Sequence, residues 1–247
     1  MESLFHYTTI DTLALILKNK TMRFNSLKNV DDAQEQLYDD VGNMGDSVLV
    51  SCWTIDNSEN IPLWKMYSND FKGCRIELPR IMFEVQEYFE KNRKPKEDTI
   101  FYQVSDDDLG NIGCVFAIED IFEKIIKYVE KLNRRNYISE EQVILIGSLG
   151  IEKLDVWEFQ KEFRFLLHQF MSKNSLEQLH VGKIDNFDEI FKYSYFDLKI
   201  LADKIDNIKV VLGPKCGEGH KIIVEQLLEK YTKNGTVEWS NLKEKLK

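Results

Sequence analysis

The segment Val48-Leu49-Val50-Ser51-Cys52-Trp53 restricts how this chain can fold more than any other. It carries no charge and is rich in β-branched and aromatic side chains, so it matches a strand rather than a helical turn. An apolar run of strand length is expected near the middle of a sheet, covered on both faces. Other β-prone stretches bracket the chain from end to end: Leu4 to Tyr7, Met22 to Phe24, Gly73 to Leu78, Thr99 to Val104, Glu162 to His168, Tyr195 to Leu198, Ile208 to Leu212 and Thr236 to Trp239.

Helical signals sit between them. Thr8 or Thr9 can cap a helix, with Asp11 in the first turn and Ile10, Leu13, Ile16 and Leu17 at helical spacing up to a stop at Asn19. Pro62 in a first turn starts a helix through Tyr67, and Pro79 is expected to open another through about Tyr88. Ile121, Phe122, Ile125, Ile126 and Val129 form a stripe that predicts a helix from about Ile118 to Leu132, and a second follows Ser139, with Gln142 in the capping-box position. An amphipathic helix runs from about His220 to Tyr231. Without a repeat or a Pro/Ser-rich linker, these elements predict one α+β domain over 1–247, with a helical insertion at about 115–155.

With 247 residues, 43% hydrophobic and 12% aromatic, the chain has a globular composition and the length to build a core without a disulfide or metal staple. Its 33 Lys and Arg against 42 Asp and Glu give a formal charge of −9, which argues against a generic nucleic-acid or anionic-membrane binder. The charge is uneven. Between Lys28 and Lys65 lie eight acids and no base, whereas residues 207–247 hold eight Lys against five acids, a local +3. The acidic stretch reads as a solvated loop or as a flap that meets a basic partner.

Cys52, Cys74, Cys114 and Cys216 form no CxxC pair, and His6, His168, His180 and His220 form no HxxxH pair. The expectation is reduced thiols, no metal and a cytoplasmic protein. Neither a signal-peptide core nor an uncharged run near the roughly 18 residues of a membrane span is visible, so no membrane partner is expected.

The turn from Gly213 to Lys221 invites a phosphate-loop reading, with Lys215 and Lys221 at hand, but neither GxxxxGK[ST] nor GxGxxG is satisfied, and a capping turn explains it. No GxSxG elbow is present, Cys52 reads as inert core, and Asp31-Asp32 is a weak Mg²⁺ signal. A more informative set is dispersed: His6-Tyr7-Thr8, Ser51-Cys52-Trp53-Thr54 and Glu162 each place polar groups where an apolar strand starts or stops. Such groups can line a cleft and hold a nucleotide sugar, the His donating to a ribose hydroxyl and the Glu opposing positive charge. Singly, each has a plainer explanation: a satisfied buried His, a strand hydroxyl, and a Glu paired with Arg164 or Lys161.

Phe5-His6-Tyr7-Thr8 with Arg23-Phe24-Asn25-Ser26, Asp31-Asp32 to Glu35, Ser51-Cys52-Trp53, Trp64 to Tyr67, Gly73 to Leu78, Trp157 to Arg164 and Leu212-Gly213-Pro214 together resemble the bacterial family known as domain of unknown function 2971. Where that family has Asn-Asp-Pro-x-Glu, this chain has Asn29-Val30-Asp31-Asp32-Ala33-Gln34-Glu35. The opening HYTTIDTLALILKNKTMRF also resembles NAD-dependent DNA ADP-ribosyltransferase toxins.

That second resemblance implies a mixed, mostly antiparallel two-sheet core around a nicotinamide cleft, with NAD as substrate and a protein, nucleic acid or water as acceptor. It implies catalytic roles for Glu162, Ser51 and His6. His6 and Thr8 would hold the adenosine ribose, Tyr7, Trp53 or Tyr67 would stack on a ring, and Arg23, Arg75 or Arg164 would pair with the pyrophosphate. The alternative expectation is a non-catalytic module that binds a nucleotide signal or a protein in a bacterial stress or phage-defence system.

Overall fold

The computed structural model describes residues 3–38, 42–84, 101–102, 115–117, 122–132, 149–170, 191 and 193–246. In the first part of the chain the strands are β1 (Ser3–Thr8), β2 (Thr21–Ser26), β3 (Leu37–Tyr38), β4 (Gly42–Asn43), β5 (Val48–Thr54) and β6 (Cys74–Pro79). Short strands follow at β7 (Phe101–Tyr102), β8 (Val115–Ala117), β9 (Phe122–Ile125), β10 (Lys127–Val129) and β11 (Glu152–Leu154). The last are β12 (Glu162–Phe170), β13 (Tyr195–Lys199), β14 (Lys209–Leu212) and β15 (Thr236–Trp239). The helices that position the site are α1 (Ile10–Asn19), α2 (Ile61–Tyr67), α3 (Ala202–Asp206) and α4 (Glu218–Tyr231).

The fold is α+β, with a mixed, mostly antiparallel sheet of eleven strands and two small two-stranded sheets, β3–β4 and β10–β11, among the described residues. The run predicted to be central is central. All of β5 pairs antiparallel with β12, from Thr54 opposite Glu162 to Val48 opposite His168. Its other edge is shared: Thr54 pairs with Phe5 of β1, while Val50 and Leu49 pair with Asn25 and Ser26 of β2. The sheet therefore forks along β5. One wing continues through β1, β6, β14 and β15, the other through β2 and β13. Ser51, Cys52 and Trp53 lie in the fork.

A shared core fills the space between the wings, from Leu4, Ile76 and Val210 on one side to Met22, Phe24 and Leu198 on the other. Leu13, Ile16 and Leu17 of α1 close it, and Val224 and Leu228 of α4 cover the β14 side. Thr9 caps α1 by accepting from the Thr12 amide, and Lys20 ends it in the left-handed conformation (φ 54°). Gly73 and Gly213 allow β1, β6 and β14 to converge: a Cβ at Gly73 would lie 2.2 Å from the Thr8 carbonyl oxygen, and one at Gly213 would lie 2.2 Å from that of Phe71.

Two helical expectations are corrected. Phe122–Ile125 and Lys127–Val129 are strands, because Phe163 to Leu166 of β12 still has a free edge and β9 fills it. The ladder hydrogen bonds and the β-branched content outweigh the helical stripe. Pro79 is the last residue of β6 rather than the first of a helix, and Phe83 bridges Ile200. The helix predicted after Ser139 lies outside the described residues. None of the described helices is long and apolar enough to cross a membrane.

Candidate functional site

The fork opens a cavity of about 480 Å³. His6, Ser51 and Glu162, from three different strands, all border it. So do Tyr7, Arg23, Trp53, Tyr67 and Arg164, whereas Thr8 and Arg75 are not among the lining residues. Thr8 is buried opposite Cys74 in the β1–β6 ladder. Arg75 lies over the Phe5 ring, 4.7 Å from its centroid, and donates to the Asn57 carbonyl at 2.8 Å.

His6 is held by the fork itself. Its Nδ1 lies 2.8 Å from the backbone carbonyl of Cys52, which faces the gap between β1 and β2. A carbonyl only accepts, so Nδ1 carries the proton. Burial pushes the imidazole pKa down, outweighing that hydrogen bond, which keeps the ring neutral near pH 7. Nε2 is then an acceptor. In this tautomer Nε2 has no proton to donate, whereas the role expected from the sequence has His6 as a donor.

Alternation along β5 separates the other two candidates. Ser51 lies opposite Phe165 and accepts from the Trp53 indole at 3.0 Å, on the core-facing side. Glu162 shares the other side with Arg164 and with Cys52, which lies opposite Arg164. Successive side chains on a strand point to opposite faces. Both residues nevertheless border the same cavity, because it occupies the place where a neighbouring strand would otherwise run.

Beneath the cavity lies a buried network of two cations and two carboxylates. Glu162 accepts from Arg164 Nε at 2.6 Å and Nη2 at 3.1 Å, and from Lys153 Nζ at 3.3 Å. Glu35 accepts from Arg164 Nη1 and, at 3.2 Å, from Nη2, and lies 3.5 Å from Lys153. Arg164 Nη1 also donates to the Gly150 carbonyl at 3.0 Å, so every nitrogen of the guanidinium is bonded. The Arg164 side chain is 0% exposed and that of Lys153 2%. The charges sum to zero, as enclosure in a low dielectric requires. Burial alone would raise the Glu162 carboxyl, but the adjacent Arg164 and Lys153 charges reverse this and hold it at about 2. Burial, reinforced by the Glu162 charge, pushes the Cys52 thiol well above its ordinary value, so it is no thiolate nucleophile.

A hydrogen-bonded chain continues from this floor. Lys153 donates to Gln160 Oε1 at 2.8 Å, Gln160 Nε2 donates to the Tyr67 hydroxyl at 2.8 Å, and that hydroxyl donates to Asp31. Tyr67 thus turns to the cavity, while Trp64, three residues earlier on α2, is fully buried and donates to Glu59 at 2.9 Å. Tyr7 packs edge-on against Trp64 at 4.8 Å, and its hydroxyl accepts from the Asn60 amide at 3.0 Å.

The acidic stretch after Lys28 is only partly solvated, with Asp31 exposed. Glu35 and Asp32 are buried, Asp46 accepts from Ser26 at 2.5 Å, Asp56 pairs with Lys161 at 2.6 Å, and Glu59 accepts from the Asn241 amide at 2.6 Å. Asp39 and Asp40 lie outside the described residues. The turn after Gly213 is a capping turn: the Gly217 amide donates to His220 Nδ1 at 3.1 Å at the start of α4. Sequence reasoning missed Lys153 and Gln160. Lys153 follows Glu152 and precedes Leu154, so no local pattern marks it as a buried cation.

No protein-family model, curated protein or solved structure matches the chain.

Proposed function

We propose that the cavity binds a nicotinamide nucleotide and that the protein is an ADP-ribosyltransferase-like enzyme, cleaving the nicotinamide–ribose bond of NAD and passing ADP-ribose to a macromolecule or to water. One observation carries this: His6, Ser51 and Glu162, far apart in sequence, border one cavity with the aromatic rings of Tyr7, Trp53 and Tyr67. His6 Nε2 would accept from a ribose hydroxyl. The ionised Glu162 supplies fixed negative charge where positive charge develops at the ribose carbon. The aromatic walls suit a flat base. The opening segment's resemblance to DNA ADP-ribosyltransferase toxins, and the wider resemblance to domain of unknown function 2971, support the same reading.

The test is incubation with labelled NAD, with and without protein and nucleic-acid acceptors. The expected result is nicotinamide release, reduced at least about 100-fold in Glu162→Gln and about 10-fold in His6→Ala. Circular dichroism shows whether each variant is folded. No release by the wild type overturns the enzymatic reading.

A second reading, a non-catalytic nucleotide-binding module, is favoured by the engagement of both Glu162 carboxylate oxygens with Arg164 and Lys153. A rise in melting temperature with NAD but no turnover would select it.

A further inference from the structure

Among the described residues three cations border the cavity: Lys153, Arg164 and Arg23. The first two are enclosed and committed to Glu35 and Glu162, and moving either would leave a net negative charge buried. Arg23 is different. Its side chain is 50% exposed, and it grips Asp197 with two parallel bonds of 2.8 Å from Nε and Nη2. Asp197 is 33% exposed and borders the same cavity. The two residues face each other across the β2–β13 ladder, and the Arg23 guanidinium lies 3.9 Å from the centroid of the Tyr195 ring. The ring keeps the guanidinium in place whichever anion occupies its fork.

An exposed pair of this kind contributes little to stability, so replacing its carboxylate costs little. A phosphoryl group presents the same bidentate geometry and up to twice the charge of a carboxylate. The aromatic lining and a volume within the roughly 300–1,000 Å³ range of small-molecule sites fit the base and sugar that such a group would carry.

We propose that Arg23 is the phosphate-binding residue of the cleft, occupied by Asp197 until a nucleotide phosphate displaces that carboxylate. The proposal rests on the nucleotide reading of the cavity, but not on its catalytic part or on nicotinamide. Asp197 is then a specificity-setting competitor: it penalises ligands without a phosphate no further, while setting how strongly a phosphate must bind to enter the fork.

Titration calorimetry at low salt with two matched pairs tests this: adenosine against AMP, and nicotinamide riboside against nicotinamide mononucleotide. In the wild type the phosphorylated member is expected to bind roughly tenfold tighter than its nucleoside. Arg23→Ala closes that gap to less than about twofold, and Arg23→Lys, which keeps the charge but not the fork, leaves an intermediate gap. Asp197→Asn widens the gap roughly three- to tenfold, a gain that general damage to the fold does not produce.

A gap that survives Arg23→Ala, or that fails to widen in Asp197→Asn, overturns the proposal. Binding of the nicotinamide pair with no gap in any variant overturns it while sparing the nicotinamide reading. A gap in the adenosine pair alone, responding to both variants, supports Arg23 and removes nicotinamide. If none of the four ligands binds, both fall.

Discussion

Glu35→Gln is expected to destabilise the protein strongly, because it unbalances an enclosed set of charges. With Arg164 and Lys153 against Glu35 and Glu162, the buried sum is 2 − 2 = 0, and the variant leaves +1. Neither the Glu35 nor the Arg164 side chain has any exposed surface, so water cannot screen the excess. The new amide also turns an N–H₂ or a weaker acceptor toward a guanidinium that needs two carboxylate oxygens. Removing one partner from a buried pair costs about 3–5 kcal/mol, which in a domain of this size lowers the melting temperature by about 6–20 °C.

Lys153→Met leaves −1 and is expected to cost less, since Lys153 sits 3.3 and 3.5 Å from its carboxylates and Arg164 remains 2.6 Å from Glu162. The double variant returns the sum to zero. It should therefore be more stable than the two single losses added together, by about 2 kcal/mol. Urea denaturation of the four proteins measures this, provided their m values agree. Single losses that add to within about 0.5 kcal/mol would show that charge balance is not what holds the floor of the cavity together.

Other expectations concern pH and close packing. Burial pushes His168 down to about 4 from an ordinary value of about 6.5, so the folded chain stays neutral there while the unfolded chain takes up a proton. That contribution is complete above about pH 6.5 and is lost as the pH falls toward 4. Urea melts across this window should show a slope that His168→Gln flattens, by up to about 1.4 kcal/mol per pH unit. Gly73→Ala should cost about 1–3 kcal/mol in the same assay, because the new methyl would meet the Thr8 carbonyl oxygen at 2.2 Å, and wild-type stability would mean that β1 and β6 can separate without loss.

Much of the framework was legible residue by residue. The β5 run, the Thr9 cap of α1, the Pro62 start of α2 and the strands at Lys209 and Thr236 all announce themselves locally, through propensity, capping and period. The failures are equally physical. The stripe from Ile121 to Val129 satisfies a helical period, but the edge of β12 offers hydrogen bonds that only a strand can take. Glu35 carries no local sign of burial, since its partner Arg164 is more than a hundred residues away.

The site divides in the same way. By itself the sequence determined the strands that carry His6, Ser51 and Glu162, because local apolar patterning marks them, but of the three only Glu162 stands at a strand end, His6 and Ser51 lying inside β1 and β5. Only the tertiary structure decided that they meet in the fork of a sheet, that Ser51 and Glu162 face opposite sides of it, and that Arg23 is half exposed where Lys153 and Arg164 are enclosed. Those properties depend on register and on which charges are enclosed together, and enclosure is set by contacts between segments that no local pattern records.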